Sequence, residues 1–213
     1  YGRAVGSLYV CVVAPTASGK GRPQGCVSQA LRASWADTVG ANDLSSTKST
    51  IARIQTASGR GTGLCLVLDE YGPRLKALLD GKSNFQRDTR ALLLQLATTG
   101  TGDYVASSSV AAGGDDVTIT APGLTIYGSS TAVALHDAIG NMALEDGLVG
   151  RHVFFEALSR LPPRHKGPAD TGVPMRIRCA IDEIRKSHQA WHAASPPCGS
   201  TSKGDPILLY RPD

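Results

Sequence analysis

The chain has 213 residues, 41% of them hydrophobic and 19% charged, with a formal net charge of +4. That size and balance suit one soluble α/β domain with a sizeable core, with or without a short tail. They offer no apolar run of the about 18 residues that a membrane span needs, no secretory leader, and no excess of positive charge that by itself calls for nucleic acid.

The chain opens on Tyr1-Gly2-Arg3, without an initiator methionine, and enters apolar sequence at once. It therefore reads as a fragment of a longer protein. Residues 7–14 are apolar and β-branched, predicting a strand buried on both faces, as in parallel sheets. A turn leads to a helix around 22–36. Residues 43–46 offer a cap for a helix at 47–58. A glycine-rich loop at 59–63 precedes a wholly apolar strand at 64–68, which ends in Asp69-Glu70. Helices are predicted at 71–80 and 84–98. Strands at 104–110 and 116–121 flank Gly113-Gly114, a hairpin signal. A further buried strand at 124–127 is closed by Gly128-Ser129-Ser130 and followed by a helix at 132–144 and a strand at 152–157. After Pro162-Pro163 and a polar loop at 164–174 comes an amphipathic helix over 175–193, with Ile177, Ile181, Ile184 and His188 near one face. Residues 194–213 read as an irregular tail. Buried strands alternating with helices mean an α/β fold with a mainly parallel sheet. Residues 1–165 form its core, and residues 166–213 are a C-terminal helix and tail packed on it.

Between the first strand and the first helix stands Ala14-Pro15-Thr16-Ala17-Ser18-Gly19-Lys20-Gly21. A glycine-bearing turn between a strand and a helix can wrap phosphates with backbone N–H groups while a lysine reaches the β- and γ-phosphates. Gly19-Lys20 is in place. Ala14 stands where such a loop has its first glycine, and Gly21 where it has the Ser or Thr whose hydroxyl coordinates Mg2+. The ion would then rest on Asp69, on the nucleotide and on water. The strand ending in Asp69-Glu70 matches a Walker B element: Asp69 as the Mg2+ ligand and Glu70 as the general base for the attacking water. The bland alternative is a strand ending in a solvated acidic pair.

Ser129 or Ser130 would be the polar sensor on the neighbouring strand, touching the attacking water or the γ-phosphate; either could equally be a turn serine. Arg151, after a helix and before a strand, is the candidate arginine finger for a neighbouring subunit; its alternative is a surface arginine at a helix end. Arg160 and Arg164 are weaker candidates, and Arg176 and Arg178, opening the last helix, are read as contacts to nucleotide of the same chain or as solvated surface. His188 and His192 have metal-ligand spacing, with Cys198 nearby, but Gln189 stands where H-E-x-x-H needs glutamate, so they read as a helix face. The five cysteines, Cys11, Cys26, Cys65, Cys179 and Cys198, form no C-x-x-C and are odd in number. They read as reduced and buried, as in a cytosolic protein.

Taken together, Ala14–Gly21, the acidic strand, the hairpin before the sensor strand and Gly147-Leu148-Val149-Gly150-Arg151 resemble the helicase-like ATPase domain of phage and mobile-element primase–helicase proteins, in the RecA/AAA+ P-loop NTPase class. The resemblance covers about residues 5–165. It implies a three-layer fold with an inserted β-hairpin, ATP and Mg2+ as ligands, a homo-oligomeric (hexameric) ring, movement on single-stranded DNA, no membrane, and the cytoplasm of a bacterial host. The Arg151 segment is also similar to an AAA+ arginine-finger segment, with His152 in place of its aromatic residue. In such helicases a hairpin reaches into the pore. Here the tip at 111–116 carries no Lys or Arg, so it lacks the usual cationic contacts to a DNA backbone. Two other functions remain open on the sequence: a packaging-type or other P-loop NTPase (a small-molecule kinase among them), and a nucleotide-binding assembly module with weak or no hydrolysis.

Overall fold

The computed structural model describes residues 6–16, 18–34, 44, 46–99, 102–107, 116–140, 147–157 and 175–194. Expectations for Ala17, the hairpin residues 108–115, Arg160, Arg164 and the tail from 195 lie outside the described residues, as do the side chains of His188 and His192. The chain divides into two compact units, Tyr1–Pro174 and Met175–Asp213.

In the first unit β1 (Leu8–Val13) leads to α1 (Gly21–Ser34), α2 (Thr47–Gly59) and β2 (Leu64–Leu68). Then come α3 (Tyr71–Asp80), α4 (Asn84–Thr99), β3 (Asp103–Ala106) and β4 (Val117–Thr120). The unit continues with β5 (Leu124–Ser130), α5 (Ala132–Ile139), a 3-10 turn (Val149–Arg151) and β6 (His152–Glu156). The second unit holds α6 (Met175–Ala194), whose Arg176 and Arg178 are exposed.

Four parallel strands form the central sheet in the order β2-β5-β1-β6. The expected α/β class and mainly parallel sheet are therefore present. β3 and β4 pair antiparallel as a separate ribbon, from Asp103 opposite Thr120 to Ala106 opposite Val117.

Residues in register across parallel strands share a face. One face gathers Leu64, Leu66 and Leu68 of β2, Leu124 and Ile126 of β5, and Tyr9, Cys11 and Val13 of β1. These join Ile51 and Ile54 of α2, Leu75 and Leu78 of α3, Leu92, Leu93 and Leu96 of α4, and Leu135 of α5 in a single core. The Tyr9 hydroxyl crosses that core to donate to the Leu93 carbonyl at 2.8 Å, so its polar end is satisfied. α1 packs on β5, and its buried Ala30 stands outside this core.

Three expectations change. β1 is not uniformly buried: Val10 and Val12 are half-buried and Leu8 is exposed, because the helices that make the core cover one face of the sheet. Gly128-Ser129-Ser130 is strand rather than closing turn, since pairing with β1 continues through Val12 opposite Ser129 and Val13 opposite Ser130. The helix expected over 132–144 ends at Ile139, where the Gly140 N–H caps it on the His136 carbonyl at 3.4 Å.

One glycine sets how closely helix and sheet approach. A Cβ at Gly128 would stand 2.6 Å from Cγ and Cδ1 of the fully buried Tyr71, so α3 can lie on β5 only because no side chain projects there. Gly128→Ala should lower stability by about 1–3 kcal/mol, the usual range for overpacking a dense core, read as a drop in the urea midpoint. Gly25→Ala is the control: nothing lies within 4 Å of its Cβ position on α1, and its midpoint should stay level or rise.

Candidate functional site

In the sheet β5 lies on one side of β1 and β6 on the other. In open α/β sheets ligands bind outside the carboxyl ends of the strands. The residues that follow β1 lie at that edge.

Ala14 prolongs the ladder, its N–H donating to the Ser130 carbonyl at 3.0 Å. Pro15 has no N–H to continue pairing. A turn follows, closed by the Ser18 N–H on the Pro15 carbonyl at 3.2 Å. Gly19 takes φ +82°, a left-handed conformation that glycine adopts without steric cost. The 14-residue α1 starts at Gly21 and has no acidic residue in its first turn. Its N-terminal partial positive charge is thus not neutralised by a carboxylate of its own. The Ser18 hydroxyl is buried and has no hydrogen-bond partner among the described residues. Leaving a buried hydroxyl unpaired costs about 1–3 kcal/mol. Lys20 is half-buried. Its ammonium partly opposes the burial that pushes the Cys11 thiol up to about 11.

The acidic pair is held from the neighbouring strand. Leu68 is in register with Gly128, so the next residue, Asp69, falls beside Ser129. The Ser129 hydroxyl donates to Asp69 Oδ1 at 2.8 Å, and the Glu70 N–H donates to the same oxygen at 3.0 Å. Glu70 itself is left-handed, at φ 51° and ψ 47°, an uncommon state for a residue with a Cβ. It turns the chain sharply from β2 into α3 and leaves both carboxylates exposed at the sheet edge. With strands about 4.8 Å apart, the loop and Asp69 flank Ser129 within about 10 Å.

The two candidate sensor serines separate. Ser129 is joined to Asp69, whereas Ser130 donates to the Thr131 carbonyl at 3.1 Å. Ser130 points to the opposite face, against the position a Cβ of Gly72 would occupy. Arg151 is not brought to the loop. Tyr9 is in register with His152, so Arg151 lies at the N-terminal edge of the sheet. The six-residue β1 separates it from the loop, a span of about 20 Å. Its guanidinium folds back, Nη1 donating to the Gly147 carbonyl at 2.7 Å.

Two residues that the sequence reading did not place in the site lie between these edges. The Tyr71 hydroxyl and His152 Nε2 are 2.8 Å apart, and His152 Nδ1 is 2.8 Å from the Leu148 carbonyl. A carbonyl only accepts, so Nδ1 carries the proton, Nε2 is the acceptor and Tyr71 donates. Burial pushes the Tyr71 phenol well above its ordinary value and lowers the His152 imidazole below 6.5, the Leu148 hydrogen bond acting against that. The one sequence signal was a histidine where the resembling segment carries an aromatic residue.

Among the described residues no group of three or more His, Cys, Asp or Glu converges on a metal-sized site. Cys11, Cys26, Cys65 and Cys179 are free thiols. Burial pushes Cys65 up to about 11. Cys179 is exposed on α6, against the expectation that the cysteines are buried. No helix among the described residues is long and apolar enough to cross a membrane. No protein-family model and no curated protein matches the chain.

The His152 geometry carries a pH dependence. The folded state holds the imidazole neutral, so the unfolded chain takes up the proton first as pH falls. The stability is present above the ordinary value of 6.5 and declines below it. Thermal midpoints from pH 7 to 5 should fall in the wild type and fall less in His152→Gln. Tyr9 and Tyr71, the titratable groups around the ring, are both raised by burial and stay neutral throughout.

Proposed function

We propose that the chain is the ATP-binding and ATP-hydrolysing motor domain of a DNA helicase or translocase of the RecA/AAA+ P-loop class, acting in phage or mobile-element replication in the bacterial host cytoplasm. One observation carries the nucleotide reading. The Ser129–Asp69 hydrogen bond lies one strand from a turn that combines a left-handed Gly19, a half-buried Lys20 and a buried, unpartnered Ser18 hydroxyl.

In this reading the N–H groups at the start of α1 and the Lys20 ammonium hold the β- and γ-phosphates of ATP. Ser18 supplies a hydroxyl to the same anion. Glu70 takes a proton from the attacking water as its oxygen approaches the γ-phosphorus and the bond to the β-phosphate oxygen breaks. The Ser129 proton is engaged by Asp69, so toward that water Ser129 acts as acceptor and orients it. Mg2+, when bound, neutralises charge on the β- and γ-phosphates. Asp69 is the residue that would hold it, through Oδ2, since two donors already converge on Oδ1. Arg151, at the far edge of its own sheet, would serve a neighbouring subunit's γ-phosphate. An oligomeric ring belongs to this reading. The β3–β4 ribbon is the candidate for single-stranded DNA contact.

A second reading is favoured by Gly21. The first residue of α1 has no hydroxyl for a cation, and Ala14 replaces the first loop glycine. A nucleotide-binding assembly module with little or no turnover would tolerate both.

Steady-state ATP turnover with Mg2+, with and without single-stranded DNA, tests the proposal. Lys20→Ala and Glu70→Gln should each reduce turnover at least about 100-fold. Glu70→Gln should still bind nucleotide, and wild-type turnover should rise with protein concentration. Turnover indifferent to Lys20→Ala would overturn the enzyme, and binding without turnover in the wild type would favour the assembly module. Gly21→Ser meets no atom within 4 Å at its Cβ. It should lower the Mg2+ concentration at half-maximal turnover; an unchanged requirement would remove residue 21 from the cation's surroundings.

A further inference from the structure

We propose that Tyr71 and His152 form a positioning relay that ties the acidic pair at one edge of the sheet to Arg151 at the other. It deepens the ATPase reading, on which Arg151's role rests.

Tyr71 is joined covalently to Glu70 and opens α3. Its ring packs against Gly128, the residue before Ser129, and its hydroxyl reaches His152 Nε2 at 2.8 Å. His152 Nδ1–H donates to the Leu148 carbonyl at 2.8 Å. That same carbonyl accepts the Arg151 N–H at 3.1 Å. Leu148 is fully buried, and two donors share its carbonyl in the turn carrying Arg151, which the His152 backbone N–H also closes on the Val149 carbonyl. The ring of His152 is enclosed by Tyr9 and Phe154, with centroids at 5.3 and 5.8 Å. An apolar core has no need of a hydroxyl and an imidazole there, and burying them costs free energy unless each is paired. Here both are paired, and in series, along the path from Glu70 to Arg151. A shift of the acidic turn when its site fills would move the Tyr71 hydroxyl and with it the Leu148 carbonyl.

The full chain carrying Tyr71→Phe, Arg151→Ala or both tests the relay, assayed well below every unfolding midpoint. Tyr71→Phe should lower kcat about fivefold, the weight of one hydrogen bond, with KM unchanged. In the Arg151→Ala background it should change nothing further, because coupled residues are not additive. An equal loss in both backgrounds, or a loss confined to KM, would overturn the relay. A second measurement needs no activity. Tyr71→Phe should shift the backbone amide signals of Gly147, Leu148 and Arg151 and the His152 ring nitrogens in nucleotide-free protein. Unmoved signals would overturn the relay even in an active ATPase. Moved signals in a chain that never hydrolyses ATP would support the link and defeat the nucleotide reading instead.

Discussion

Strand β5 is hydrogen-bonded on both sides, to β1 and to β2, and the place of each candidate group at the upper edge follows from that insertion. It sets the turn after β1 and the acidic pair after β2 one strand apart on either side of Ser129. Without β5 between them, Ala14 would lose its partner at Ser130 and Asp69 its partner at Ser129. β5 can take that position because it is small where the helices press on it. Gly128 admits the Tyr71 ring, and Ser130 lies beside Gly72 of α3.

Toward the helices the sheet is apolar, and buried polar atoms in that core are partnered, among them Tyr9 with Leu93, Tyr71 with His152 and Thr47 with Thr89. Polar groups buried in pairs cost little, and they restrict how the helices can slide. At the carboxyl edge that pairing is incomplete, and Ser18 is the residue that shows it.

Much of this was legible in the sequence because it is local. Continuous apolar runs marked β1, β2 and β5, and residues 43–46 offered a cap for α2, where the Ser46 hydroxyl accepts the Ser49 N–H. Strand order was not legible, because it depends on pairings between distant segments that no local pattern encodes. The choice between Ser129 and Ser130 depends on register, and a single residue of slip exchanges the two faces. Tyr71 and His152 stand 81 positions apart in the chain, and each alone reads as an ordinary core residue. The uneven burial of β1 escaped for the same reason: an apolar run shows that a strand can be covered on both faces, not that helices are there to cover it.

The separation of Lys20 and Arg151 by the length of β1 has a consequence for symmetry. If Arg151 serves a neighbouring copy's loop, a two-fold dimer meets that need only with the two sheets side by side and antiparallel, and the pairing then closes at two copies. A head-to-tail contact meets it by setting one copy's upper edge where the next offers its lower edge. Contacts of that kind either close into a ring after a whole number of copies or continue as a helical filament. The angle between successive copies decides which.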